Sequence, residues 1–280
     1  MRRLILAPFF LAISLPVFAQ ECTICLDLDG YVSPEAVSDT VFKMVGKNAR
    51  NNYKDSTTIQ VQRGVIKTGT APSFPDGIKC PLIDSEKWAI DYSGKRGRAA
   101  LHKGIDIVAP KGTPVLAAAS GTVIGKFMNE KSRKGIEIVL RHSPEDTGLP
   151  FFTYTQYTHL LEMPSLPIGT VVNIGDKIAK IWNTGKMGNS LRRTALHFAV
   201  YYSDLPSWTN TGRAFAPKDG YFMDPVSFYK MTGPYESRQV RALPRANKRI
   251  NVPYQLKDGK RFPSITKRIW PFSCQRKQVD

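Results

Sequence analysis

Apolar and polar residues alternate with a period of two through much of the middle of the chain. Residues 105–108, 114–118, 121–127 and 135–141 read as strands of ordinary length, and so do 151–157, 171–172, 177–182 and 196–202. Pro110-Lys111-Gly112 and Ile174-Gly175-Asp176 place turn signals between them. Many short strands separated by turns predict a mainly β fold over residues 81–231, an antiparallel sheet or a barrel-like sandwich.

The two ends differ from this middle. Residues 20–80 read as a small, partly helical N-terminal appendage. Ser33 can cap a helix, Pro34 suits its first turn, and Glu35 is favourable there. Val37, Val41, Phe42, Met44 and Val45 follow at helical spacing, as a face to pack on the main domain. Residues 58–67 alternate as a strand would, and Pro72 and Pro75 break the pattern. Residues 232–280 form a basic tail in which Pro244, Pro253, Pro263 and Pro271 argue against a long helix. The tail is expected to be extended and solvated, or else an arm that grips an anionic polymer with Tyr254, Phe262, Trp270 and Phe272.

Residues 1–19 read as an export signal: Arg2 and Arg3, an apolar stretch over 4–17, then Val17-Phe18-Ala19 before the cleavage point. The apolar stretch falls short of the roughly 20 residues that span a bilayer, and no second one approaches it, so no transmembrane span is expected. Cys22 does not fit a lipidated cysteine, because Ala19-Gln20-Glu21 lacks the small residues expected there. Export to the periplasm or the exterior also suits the four cysteines, Cys22, Cys25, Cys80 and Cys274. Three disulfide pairings are open to them, one joining Cys22 to Cys25 and Cys80 to Cys274, and a four-cysteine zinc site competes less well.

The formal charge of +17, or +15 without Arg2 and Arg3, changes the choice of partner. For an exported chain the accessible polyanions are envelope polymers, lipid headgroups and saccharides, not nucleic acid. The tail concentrates this charge, with twelve Lys or Arg against three acids. Composition leaves the oligomeric state open.

Only four histidines occur, so each can be weighed. His102 and Asp106 flank Lys103-Gly104-Ile105; in a straight strand they would share a face about 13 Å apart, too far for one metal. Gly104 lets the chain fold tightly and bring them together. His197 lies in the alternating run Leu196-His197-Phe198-Ala199-Val200. Two imidazoles and a carboxylate around Zn²⁺ would leave a position for water or a substrate carbonyl, which is the arrangement for metal-assisted hydrolysis.

The run His102-x-Gly104-x-Asp106-Ile107-Val108-Ala109-Pro110-x-Gly112-Thr113-Pro114-Val115-x-Ala117 resembles the signature of the lysostaphin and LytM-type zinc metallopeptidases. Ala119-x-Gly121-x-Val123, Tyr157-Thr158-His159-Leu160, Gly175-Asp176-x-Ile178, Asn183-Thr184-Gly185 and Leu196-His197-Phe198 continue it in the family's order. The resemblance covers roughly residues 90–203. It implies a zinc-dependent endopeptidase acting on peptide crosslinks of peptidoglycan, with a groove over an antiparallel sheet. It also implies His102, Asp106 and His197 as zinc ligands and His159 as a catalytic histidine.

One position departs from that pattern. The family's last strand normally reads His-x-His, and the first of these positions is Ala195 here. Residues two apart in a strand share a face, so Ala195 presents only a methyl to the site. Metal binding is expected to survive this change while hydrolysis is weakened. The alternative is an impaired relative that binds cell wall or activates another wall hydrolase. Arg192 or Arg193 could compensate electrostatically. His142, at the end of the 135–141 strand, reads as structural, and Glu137 in the same strand reads as a surface residue.

Overall fold

The computed structural model describes residues 22–45, 53–84, 101–129, 134–185 and 193–277. The export signal at 1–19 lies outside these residues. The centre is a seven-stranded sheet. Its strands are β1 (Ile105–Val108), β2 (Gly121–Asn129), β3 (Gly135–His142), β4 (Phe152–Thr158), β5 (Val171–Val172), β6 (Ala195–Ser203) and β7 (Tyr221–Met223). The order is β7-β6-β4-β3-β2-β5, and β1 pairs with β6 beside β7. Every pairing in this sheet is antiparallel. The sheet stays open, so among the described residues there is no closed barrel.

The strands read from the alternating pattern between residues 105 and 202 all form, with ends shifted by no more than two residues. β3 is central, between β2 and β4, and every one of its residues is buried. Residues Pro114–Leu116 and Lys177–Lys180 make a separate antiparallel pair.

The strand expected over 58–67 is a helix instead, Tyr53–Gln62. Val61 is exposed and Gln60 buried, so the alternation did not mark an inside and an outside. Packing decides the conformation: Gln60 Nε2 donates to the carbonyl of Met44 in the neighbouring helix Asp39–Val45. Gly64 ends the turn in the left-handed region at φ 98°, which glycine adopts without strain. The apolar stripe is buried as expected at Val37, Val41, Phe42, Met44 and Val45, but not on one helix: a 3-10 turn at Pro34–Ala36, which Ser33 does not cap with its side chain, and an extended Val37 precede the helix Asp39–Val45.

Neither end stands off from the sheet. Val32 N–H donates to Trp208, whose own N–H donates to Gly30, and Arg141 holds Asp29 at 2.8 Å. Asp224 accepts from Thr70 at 2.8 Å and from Thr68. The C-terminal segment, expected to be extended and solvated throughout, is solvated only in part. Ile269, Trp270 and Phe272 are fully buried, because they fill the core beside the Pro114–Leu116 strand. The Ile269 N–H donates to Ala118, and the Leu116 N–H to Pro271. Tyr254 is buried too, so Phe262 is the aromatic of that set left exposed. Disulfides join Cys22 to Cys25 and Cys80 to Cys274, the second fastening the last strand to residues before the sheet.

Candidate metal centre

Asp106 of β1 and His197 of β6 are direct cross-strand partners, so their side chains rise from the same face of the sheet. His102 reaches them from the loop that enters β1. The approach of that loop depends on Gly104, where an added Cβ would come 2.4 Å from the carbonyl oxygen of Phe198. The glycine thus serves close backbone contact, with no positive φ.

Three ligand atoms converge. His102 Nε2 lies 3.2 Å from Asp106 Oδ1 and 3.0 Å from His197 Nδ1, and His197 Nδ1 lies 3.0 Å from Asp106 Oδ1. Tetrahedral zinc with bonds of about 2.05 Å sets ligand atoms about 3.3 Å apart, so this triangle fits the ion. Asp106 and His102 are buried and His197 partly exposed, which leaves one side of the triangle open. Burial alone would raise the Asp106 carboxyl. The charge and hydrogen bonds of His102, with those of His197, overcome burial and hold it well below the usual carboxylate range. The carboxylate is therefore ionised, the form a metal needs.

His159 follows the end of β4. In a continuing strand it would point away from the face that carries Thr158, the partner of His197. Its φ of 71° breaks that alternation, and its ring lies 6.0 Å from the ring of His197. Nδ1–H donates to the carbonyl of Thr184 at 3.0 Å. A carbonyl only accepts, so Nδ1 carries the proton of the neutral ring and Nε2 is the basic nitrogen. Thr184 is itself fixed, donating to Leu160 and accepting from the Ile136 N–H.

Ala195 is buried opposite Val108, on the same face as His197, and offers a methyl where a second imidazole would stand. Arg192 lies outside the described residues. Arg193 is exposed. His142 is apart from the centre and fully buried, with Nδ1 on the carbonyl of Ser120 and Nε2 2.7 Å from Thr155 Oγ1. Burial pushes its imidazole down to about 4.

Glu137 corrects the surface reading, since it is 2% exposed. It lies opposite Thr158, so Glu137, Thr158, His197 and Asp106 form one row across four strands of the same face. Its carboxylate accepts from Gln156 Nε2 at 2.6 Å and pairs with Lys134 at 3.4 Å. A charged residue inside the run Ile136-Glu137-Ile138-Val139-Leu140 was the signal for it. Lys103, beside His102, donates to the carbonyl of Val45 at 3.1 Å. Burial, then repulsion from Lys134, pushes its ammonium down to about 7.

Residues 100–212 match the sequence profile of Peptidase family M23. The chain carries an M23 peptidase domain. Members of family M23 are metallopeptidases, and the M23 match spans all three metal-cluster residues and His159. An uncharacterized metalloprotease of Haemophilus influenzae is 37% identical over 89 residues, 32% of this chain and 17% of that one. The chain spans less than a quarter of the curated relatives it matches, 17% and 22% of their lengths. Among solved structures, the catalytic domain of lysostaphin from Staphylococcus simulans is 23% identical, over 46% of this chain and 80% of that one, with a TM-score of 0.33. A zinc containing peptidase from Vibrio cholerae is 24% identical, over 55% of this chain and 40% of that one, with a TM-score of 0.32.

Proposed function

We propose that this protein is an exported zinc endopeptidase that hydrolyses peptide crosslinks of bacterial peptidoglycan. The observation that carries the reading is the convergence of His102, Asp106 and His197 beside an imidazole whose tautomer is fixed by Thr184. His102 Nε2, Asp106 Oδ1 and His197 Nδ1 would hold the zinc. When bound, zinc polarises the scissile carbonyl and lowers the pKa of the attacking water. His159 Nε2 takes the proton of that water and delivers it to the leaving amine, while its Nδ1–H stays on Thr184. The peptide would lie in extended form over the β1–β6–β4–β3 row.

The export signal read at residues 1–19 and the two disulfides support work in the periplasm or outside the cell. Contact with anionic envelope polymers falls to the exposed cations Arg238, Arg241, Arg245 and Arg249, a stretch without an acid between 237 and 257.

One observation favours a second reading. The methyl of Ala195 removes an acid–base group worth about 10²–10⁴-fold in rate, so the domain could bind wall peptides or activate another hydrolase instead of cutting. Digestion of purified peptidoglycan by the mature protein with zinc, beside His197→Ala, separates the two. Crosslink-derived fragments that vanish in the variant support the peptidase. Zinc-loaded protein that binds the wall and releases no fragments supports the second reading.

A further inference from the structure

The C-terminal segment carries a turn with an apolar tip. Residues 263–266 form it, closed where the Thr266 N–H donates to the carbonyl of Pro263 at 3.1 Å. Thr266 is buried, and its hydroxyl donates to the carbonyl of Arg268 at 2.7 Å, so the turn is held from beneath. Ile265 at the tip is 87% exposed, more than any other large hydrophobic residue among those described. Phe262, one residue before the turn, stacks on Tyr254 at 5.4 Å and keeps 37% of its surface in solvent. Met231, 65% exposed, follows Lys230, whose carbonyl accepts from Arg268 Nη2 at 2.9 Å. The base of the turn thus holds the Met231 segment beside it.

Cations surround these side chains. Lys257, Lys260 and Arg261 lie on the hairpin that leads into the turn, Lys267 reaches the carbonyl of Glu145 at 2.8 Å, and Lys230 adjoins Met231. These five cations stand against two acids, Asp258 and Glu145. Exposed apolar side chains rimmed by charge mark a docking surface, and the sign of the charge selects the occupant. A second copy of this chain would bring the same cations to a symmetric contact and be repelled. An anionic lipid surface offers negative headgroups to the rim and an apolar layer to the tip. We propose that this turn docks the protein on anionic phospholipid bilayers. Ile265, Phe262 and Met231 enter the headgroup layer, and Lys257, Lys260 and Arg261 meet the phosphates. Such docking is independent of peptide cleavage.

The test is flotation of the mature protein with vesicles of phosphatidylglycerol and phosphatidylethanolamine, beside vesicles of phosphatidylcholine alone, at physiological salt. Partitioning onto the anionic vesicles is expected to exceed that onto the neutral ones by about tenfold or more. Ile265→Ser is expected to lower it by about tenfold, which is what burial of one isoleucine side chain is worth, while Ile265→Leu keeps it. Lys260→Gln together with Arg261→Gln is expected to lower it by about fivefold for each charge removed. Ile265 and Lys260 are exposed and Arg261 half-buried, so these variants are expected to unfold at the temperature of the unaltered protein. Equal partitioning onto both vesicle types, or unchanged partitioning of Ile265→Ser, overturns the docking. Self-association without lipid that Ile265→Ser abolishes overturns it too, and assigns the patch to a second copy.

Discussion

Asp106 and His197 face each other across β1 and β6, and the Nδ1 of His197 stands 3.0 Å from the Oδ1 of Asp106. The pairing joins two segments 91 residues apart in the chain, so the candidate centre exists only once β1 has docked on the edge of β6. Loss of either strand removes the site as well as part of the core.

His159 is expected to act on protons and not to hold metal. His159→Ala should lower kcat by about 10²–10⁴-fold while zinc content stays at the level of the unaltered protein. Metal analysis beside turnover measurements checks this. Zinc lost together with activity would place His159 among the ligands instead.

Ala195 limits the rate if the methyl leaves an acid–base function unfilled. Ala195→His should then raise kcat at least about tenfold, part of the 10²–10⁴ that such a group contributes. An unchanged or lower kcat in a variant that still folds and loads zinc would mean that His159 alone suffices.

His142 gives stability a pH dependence. Burial lowers its folded-state value to about 4 from an ordinary 6.5, so the unfolded chain binds the proton more readily. Its contribution is complete above about pH 6.5 and is lost as pH falls toward about 4, amounting to about 3 kcal/mol. His142→Gln keeps a donor for Ser120 and an acceptor for Thr155, and should flatten that fall. Urea unfolding at several pH values measures it; the same slope in both proteins would assign the fall to other groups.

The Cys80–Cys274 disulfide closes a loop with a sequence separation of 194. Replacing both cysteines by serine should cost about 2–5 kcal/mol, because so long a loop constrains the unfolded chain strongly. Equilibrium unfolding of the double variant reads the loss directly. A change within a few tenths of a kcal/mol would show that Trp270 and Phe272 alone hold the segment.

Much of the fold was legible because strand periodicity is a local signal: β3 and β4 announce themselves in their own residues. The row from Glu137 to Asp106 was not, since register across four strands depends on which strands pair. His102, Asp106, His159 and His197 stood out through motif order, and the structure brings all four side chains to one place. The helix at Tyr53–Gln62 was misread because β-branched Thr58, Ile59 and Val61 imitate a strand while packing on Met44 decides the outcome. The C-terminal segment was misread because charge and proline dominate its composition, hiding the few aromatics that anchor it in the core.

The most direct measurement is a titration of zinc into metal-free protein, following hydrolysis of a crosslinked stem-peptide dimer alongside His102→Ala. The account predicts activity that rises to a plateau at a single equivalent of zinc in the unaltered protein, with neither uptake nor hydrolysis in the variant. Hydrolysis that is complete without zinc, or undiminished in His102→Ala, would contradict it.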